Sequence, residues 1–230
     1  MIRAGVRVHV ARAVAALAVG AAAAAPLQGQ ELADFDYENL AFRGFGVEVG
    51  YVWPNRVEAT PSLGVRMDLG YLGPGVRIVP SITYWSSRMS RSEVGELEER
   101  VEELVDRESG GVPPASVNLG EIDWSDLVLG FDAHVVWQAP AGVMAYVGAG
   151  AAAHMMNGGG EAIGDTFIID LLDTVTAGGN LHLGLEYPLG ARLRLYGVTR
   201  YEILEPLQYF ELRVGGQVMI GSGATNEVRR

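Results

Sequence analysis

The chain lacks three features that would each point to a different class of protein. Its 230 residues include no cysteine and no lysine, so all 17 basic residues are arginine. Without cysteine, an exported form has no disulfides and must be held together by its secondary structure. After residue 25, no run approaches the roughly 20 apolar residues that a transmembrane helix needs. Residues 31–230 hold 14 arginines against 28 acidic residues, a formal charge of −14, which excludes the basic surface that nucleic-acid binding requires.

The first 30 residues have the organisation of a secretory signal peptide. Arg3, Arg7 and Arg12 form a positive n-region, and Ala13–Ala25 forms an apolar h-region rich in alanine. Thirteen apolar residues are too few to span a bilayer, so a cleaved signal peptide over residues 1–30 is predicted instead of a membrane helix. We therefore expect the protein to be exported.

The clearest structural pattern lies in SLGVRMDLGYLGPGVRIVPSITYW (Ser62–Trp85). Apolar residues there alternate with charged residues and glycine, and the alternation continues on both sides of the Gly73-Pro74-Gly75 turn. A period of two predicts β-strands with one apolar and one polar face. The same period recurs in eight segments, which are 43–53, 62–71, 76–85, 122–137, 143–154, 175–187, 191–201 and 208–220.

Two inserts between these segments have helical character. Ser90 and Glu93 fit a capping box, and an apolar stripe at helical spacing follows among glutamates. A second helix is predicted near IGDTFIIDLLD in residues 155–174. We expect the two loop helices to pack together as a cap over one end of the fold. The predicted contact joins Val94, Leu97, Val101 and Leu104 to Ile163, Phe167, Leu171 and Leu172.

The connection lengths predict how the strands are arranged. Connections after segments two, four and six are minimal, whereas those after one, three, five and seven are predicted to be longer. This asymmetry is typical of a membrane barrel with short periplasmic turns and long extracellular loops. The prediction is therefore an all-β fold, an eight-stranded antiparallel up-and-down transmembrane β-barrel with short helices in two long extracellular loops. The predicted organisation is a signal peptide (1–30), a periplasmic lead-in (31–42), the barrel (43–221) and a C-terminal tail (222–230).

A soluble, lipocalin-like barrel would also have about eight meandering strands and an export signal. Three features favour lipid as the solvent of the apolar face: the absent lysine, glycine on the polar face, and aromatic residues near strand ends. The predicted loop-end girdle is Tyr51, Trp53, Tyr84, Tyr201 and Phe210, and the predicted turn-end girdle is Phe45, Tyr71, Trp137 and Tyr187.

The segments GFGVEVGYVWP, GVRMDLGYLGPGVRIVPSITYW, AYVGAGAAAHM and HLGLEYPLGARLRLYG resemble the small eight-stranded outer-membrane barrels of Gram-negative bacteria, of the OmpA-like and OmpW-like kind. The resemblance implies residence in the outer membrane and contact with outer-membrane lipid. The sequence departs from that family at the last strand, VGGQVMIG, which lacks the terminal aromatic residue and is followed by SGATNEVRR.

The polar face predicts a closed interior. Six acidic residues oppose six arginines there, and buried charges must be mutually satisfied because an unpaired one is very costly. An eight-stranded barrel has only enough interior for its own side chains. The predicted interior charge network is Glu48, Asp68, Asp126, Asp132, Glu186 and Glu211 with Arg66, Arg77, Arg192, Arg194, Arg200 and Arg213.

No catalytic, cofactor or metal site is predicted. His134, His154 and His182 share the polar face, but the first lies near the turn end and the second near the loop end, so the three cannot form one metal site. The sequence favours a non-enzymatic role in structure or surface interaction. The acidic run in the first long loop is interpreted as a solvated helix face, and an outer surface that binds a cation or a basic partner is the alternative. Two alternatives stay open: an OmpW-like conduit for small hydrophobic molecules, with a lateral opening near Pro80 or in the glycine-rich fifth strand, and a periplasmic lipocalin-like carrier. No oligomeric state is predicted.

Overall fold

A computed structural model describes residues 40–73, 75–109, 117–164, 166–205 and 207–220. The predicted signal peptide, residues 31–39 of the lead-in and the predicted tail lie outside the described residues, as does Pro74 in the first turn.

The described residues form eight antiparallel strands that close into a barrel. Each strand pairs with its neighbours in sequence, and the last strand pairs with the first over eleven residues. The strands are β1 (Gly44–Pro54), β2 in two segments (Thr60–Asp68 and Tyr71–Gly73), β3 (Val76–Arg88), β4 (Asp123–Gln138), β5 (Met144–Gly159), β6 (Thr174–Pro188), β7 (Leu193–Leu204) and β8 (Gln208–Met219). The predicted fold class is confirmed.

The two segments of β2 are separated by an irregularity at Gly70. This residue has φ +75°, a conformation that suits glycine, and its N–H donates to Asp68 Oδ1 at 2.8 Å. Both segments pair with β3, so β2 continues as one strand across the interruption. The extra residue shifts the alternation by one position. Tyr71 therefore faces the interior and Leu72 faces outward.

The connections differ strongly in length. Those after β2, β4 and β6 are short turns, and the second of them contains a single 3₁₀ turn (Pro140–Gly142). The connection after β3 holds helix α1 (Arg91–Ser109), and the one after β5 holds helix α2 (Phe167–Leu172). The connection after β7 runs only from residue 205 to 207, so the expectation of a longer loop there is wrong. Among the described residues, neither helix has the length and apolarity needed to cross a membrane.

The outward face is apolar on every strand. Leucine, valine, isoleucine and aromatic side chains are exposed there at alternate positions, as in β1, where Phe45, Val47, Val49, Tyr51 and Trp53 are 42–60% exposed. The intervening residues point inward, and the charged ones among them are buried. The barrel thus has a polar interior and an apolar exterior, the reverse of a soluble barrel.

Candidate functional site in the barrel interior

The interior has apolar groups toward both ends and charged residues between them. At the loop end, six strands contribute to one buried cluster, the loop-end plug. It consists of Val52, Val57, Trp85, Trp124, Met156, Leu204, Leu207 and Tyr209. A smaller cluster lies at the turn end and consists of Tyr71, Val136, Met144 and Tyr146. A cavity of about 20 Å³ lies between them, close to the size of one water molecule.

Glu186 is the centre of the first group of buried charges. Its carboxylate accepts hydrogen bonds from Arg66 Nη2 at 2.8 Å and from Arg77 Nη2 at 2.6 Å. Arg194 Nη1 lies 3.7 Å away, and Asp68 approaches Arg77 at 3.6 Å. The guanidinium of Arg66 also stacks on the Tyr196 ring, 3.2 Å from its centroid. Charge-assisted contacts of this density offset the cost of burial.

Arg213 is the centre of the second group. Its Nη1 donates to Glu48 Oε1 at 2.7 Å, and its Nη2 donates to Glu211. The two carboxylates have further donors, since Ser62 Oγ donates to Glu211 at 2.6 Å and Tyr196 Oη donates to Glu48 at 3.1 Å. Side chains from β1, β2, β7 and β8 are thereby joined across the lumen.

A third group lies below the loop-end plug. Arg200 bridges Asp132 and Glu202, each at 2.7 Å. His154 lies between Asp126, 2.8 Å from Nδ1, and Glu202, 3.4 Å from Nε2. Both carboxylates act as acceptors, so the imidazole ring has to donate from both nitrogens and carry a positive charge.

The structure buries eleven of the twelve residues of the predicted charge network in the interior. Arg192 is the exception and must be corrected, because it lies exposed in the β6–β7 turn, before the first residue of β7. Sequence reasoning omitted Glu202 and the charged role of His154. With both included, seven carboxylates face five arginines and one charged histidine, so the interior remains near balance.

Two of the three interior histidines lie together. The rings of His134 and His182 have centroids 4.8 Å apart, and ligand-type atoms of these two residues and of Asp132 lie within 4.8 Å of one another. His134 also stacks on Tyr146 at 4.4 Å. His154 belongs to the separate group with Asp126 and Glu202, so the three histidines do not share one site.

Eight of the nine predicted girdle residues point outward, and their side chains are either exposed or half-buried. At the loop end, Trp53 packs between Tyr51, with ring centroids 5.0 Å apart, and Phe210 at 5.7 Å. Tyr71 was assigned to the turn-end girdle, and this is wrong. It is 2% exposed and faces the interior because of the irregularity at Gly70.

The two loop helices pack against one another through a third cluster, the loop cap core. It consists of Val94, Val101, Leu119, Ile122, Ile163, Ile168 and Leu172, with Leu97 packed against it. Leu104 and Phe167 were expected in this contact, but they are 44% and 54% exposed. On α2, Ile168 takes the inward position instead of Phe167. The side chain of Leu171 lies outside the described residues. Met89 contacts both the loop cap core and the loop-end plug, and Trp124 Nε1 donates to the Leu172 carbonyl at 3.3 Å, so the cap is attached to the barrel.

Part of the acidic character of α1 has a structural role. Glu98 accepts a hydrogen bond from the Leu119 N–H at 2.8 Å, and Glu102 accepts one from the Val117 N–H at 2.9 Å. Glu93 lies 3.5 Å from Arg56 in the β1–β2 loop. Glu96, Glu99, Glu103, Asp106 and Glu108 remain exposed. The solvent-facing acidic surface is therefore smaller than the composition suggests.

No protein-family model and no curated protein sequence matches this chain. Among solved structures, it is similar to Neisserial surface protein A, with 13% identity over 77% of this chain and 97% of that chain and a TM-score of 0.50. It also matches Ail, the attachment invasion locus protein of Yersinia pestis (10% identity, 80% and 99% covered, TM-score 0.45). A third match is a major outer membrane protein from Thermus thermophilus (15% identity, 77% and 99% covered, TM-score 0.46). The first likeness places the fold among the eight-stranded outer-membrane β-barrels.

Proposed function

We propose that this chain is an outer-membrane protein of Gram-negative type whose barrel is a non-conducting anchor and whose loop cap is a surface for interaction outside the cell. The observation that carries the proposal is the filled interior. Paired charges occupy the lumen between two apolar clusters, and the cavity within them holds no more than about one water molecule.

The outer surface supports residence in lipid. Large apolar side chains are exposed on every strand, whereas the largest apolar patch of a soluble monomer is typically about 300–600 Å². Lipid tails are the solvent that suits such a surface, and the predicted signal peptide would supply the export step. The barrel is thus proposed to contact outer-membrane lipid around its circumference.

The loop end supports a role in interaction. The loop cap core holds α1 in a fixed position, and the exposed acids of α1 face solvent. A basic protein segment or a cation is the partner that such a surface would attract. The Neisserial protein with the same fold is also named as a surface protein.

Two other functions have less support. The conduit reading places a break at Pro80 or in the glycine-rich β5. However, β3 pairs with β4 through Pro80 without interruption, and β5 is paired on both sides. On the other side of β3, the regular ladder with β2 stops beside Pro80, but the Leu69 N–H donates to the Ile78 carbonyl and the Ile78 N–H donates to the Gly70 carbonyl, each at 3.0 Å, so the two strands stay hydrogen-bonded there. A lipocalin-like carrier needs an apolar ligand cavity, whereas this interior is filled by charged side chains.

A liposome-swelling assay tests the proposal. Residues 31–230 would be refolded into vesicles loaded with a large impermeant sugar, diluted into isotonic arabinose, and compared with vesicles that contain a general porin. We expect no swelling above that of protein-free vesicles, although the barrel is inserted. Swelling at a rate that rises with protein content would contradict the non-conducting anchor.

A further inference from the structure

A groove lies in the outer wall of the barrel, in the turn-end half of β6, β7, β8, β1 and β2. Its volume is about 970 Å³, at the upper end of the range of about 300–1,000 Å³ that is typical of ligand pockets. Six of the apolar side chains that line it are each 47–64% exposed: Val47, Leu63, Leu185, Tyr187, Leu195 and Val214. An apolar groove on this face opens toward lipid and suits a hydrocarbon chain.

Two outward-facing glycines explain why the wall is concave there. Gly197 on β7 lies between Leu185 on β6 and Val214 on β8. In the next row toward the turn end, Gly216 on β8 lies opposite Leu195. A Cβ atom added at either glycine would come no closer than 3.8 Å to another residue, so the space above both glycines is open. The larger neighbouring side chains therefore stand above the glycines as the sides of the groove.

The exposed charges at the turn end of these strands are positive. Arg192 in the β6–β7 turn is exposed, and Arg43 before β1 is half-buried. The carbonyl of Arg192 accepts a hydrogen bond from the Met219 N–H at 2.8 Å, and the carbonyl of Arg43 accepts one from the Ile220 N–H at 2.6 Å. The two arginines therefore lie on either side of the end of β8, a central strand of the groove.

The described residues of the turn end include no exposed carboxylate. The two acidic residues described there, Asp68 and Glu186, are buried in the interior. The exposed acids of α1 lie at the opposite end of the barrel. The charge on this part of the surface therefore complements an anion, whereas the loop end would repel one.

We propose that the groove binds one acyl chain of an anionic phospholipid whose phosphate is bound by Arg192, with Arg43 adding positive charge. Arg192 precedes Leu195 by three residues, about 10 Å of extended chain, so a headgroup at the turn end could be continuous with a chain in the groove. A guanidinium binds phosphate through charge-assisted hydrogen bonds. This inference rests on the proposed function, because lipid can fill the groove only if the barrel lies in a membrane.

A second copy of the chain is the competing occupant. Within a bilayer, two apolar faces gain no hydrophobic stabilisation from each other, because lipid tails are equally apolar. A symmetric pair that met through this groove would also bring the turn-end arginines of both copies together. The like charges would oppose that pairing, whereas they favour an anionic lipid.

Native mass spectrometry tests the site. Residues 31–230, refolded in detergent, would be titrated with phosphatidylglycerol and, separately, with phosphatidylcholine that has the same acyl chains. We expect one phosphatidylglycerol to be retained in preference to phosphatidylcholine. Arg192→Gln should lower the apparent affinity for phosphatidylglycerol about fivefold. Arg88→Gln is the control, because Arg88 is also exposed but lies at the loop end, and it should leave the affinity unchanged.

A second pair of variants tests the groove itself. Gly197→Leu should fill the groove and lower the retention of phosphatidylglycerol severalfold. Gly179→Leu is the matched control, because Gly179 also faces outward with open space above it but lies outside the groove, and it should retain lipid as the wild type does. Heat-dependent gel mobility would verify that each variant is folded.

Three results would overturn the proposal. They are equal retention of the two lipids, equal losses in a variant and its control, and a lipid-free dimer that Gly197→Leu abolishes, which would identify the groove as a contact between copies. Insertion into vesicles would be measured on the same sample. A chain that fails to insert contradicts the proposed function, whereas an inserted barrel without lipid preference contradicts this site alone.

Discussion

The Tyr146 ring lies over Gly184, its partner across the β5–β6 pair, and occupies the space in which any other residue would place its Cβ atom. Tyr196 lies over Gly215 in the same way across β7 and β8. Glycine on the interior face thus provides room for a large neighbour. This explains why a barrel with a full interior is so rich in glycine on its polar face.

Gly184→Ala should therefore destabilise the barrel. Its new methyl group would overlap the Tyr146 ring, which also contacts His134 and Arg66. Overpacking of this kind costs about 1–3 kcal/mol in the free energy of unfolding. Urea unfolding in lipid vesicles, followed by tryptophan fluorescence, would measure it. Gly197→Ala is the matched control, because Gly197 faces outward and its new Cβ would come no closer than 3.8 Å to another residue. Equal effects of the two variants would contradict this explanation.

Among substitutions that remove one charge, Glu186→Gln should cause one of the largest losses in the free energy of unfolding. The substitution keeps the side-chain shape but leaves Arg66 and Arg77 facing a neutral amide in a buried site. Removal of one partner from a buried ion pair costs about 3–5 kcal/mol in the free energy of unfolding.

Glu121→Gln is the control for this change, since Glu121 pairs with Arg88 at 3.5 Å on the exposed surface. Exposed pairs contribute about 0–1 kcal/mol. Urea unfolding of both variants should separate them clearly. A loss below about 1 kcal/mol for Glu186→Gln would show that Glu186 does not hold the interior together.

The loop cap should open without loss of the barrel when charge enters its core. Val101→Asp places a carboxylate in the loop cap core, so α1 should detach and trypsin should cleave faster after Arg100 and Arg107. The barrel should still show the heat-dependent gel mobility of a folded outer-membrane barrel. Leu104→Asp is the control, because Leu104 is 44% exposed and its variant should be cleaved at the wild-type rate. If Leu104→Asp opens the cap as readily, the packing described for α1 is wrong.

Two tryptophans should report opposite sides of the barrel wall. Trp53 is 44% exposed on the outer surface, and Trp85 is 2% exposed in the loop-end plug. In vesicles of brominated lipid, a variant that keeps only Trp53 should lose much of its fluorescence. A variant that keeps only Trp85 should lose little, since its ring does not reach lipid. Equal quenching would show that the assigned facing of the strands is wrong.

Much of the fold could be predicted from the sequence, because the two faces of a membrane barrel contact different solvents. Polar and apolar residues therefore alternate along each strand with a period of two. The same alternation placed eleven of the twelve predicted charges in the interior. Glu202 lies two residues after Arg200 on the same face, but it was missed because the predicted strand ended at residue 201, whereas the observed strand continues to Leu204.

The remaining differences between prediction and structure arise where the alternation is interrupted, or where apolar residues lie on the inward face. At Gly70 one extra residue reverses the facing of Tyr71, and a positive φ is not visible in a pattern of polarity. Arg192 continues the alternation of β7 in sequence, but the chain there is still in the turn. The loop-end plug was missed because its members, such as Trp85 and Tyr209, are apolar residues on the face that is polar elsewhere.

Single-channel recording tests the central claim, the closed lumen, most directly. Residues 31–230 would be refolded in detergent and inserted into a planar bilayer, with insertion verified separately by heat-dependent gel mobility of the same sample. A closed interior predicts no current steps over the full range of applied voltage, since the loop-end plug and the paired charges fill the lumen in the part of the chain that the structure describes. Discrete and reproducible conductance steps would contradict it and would make transport the leading function.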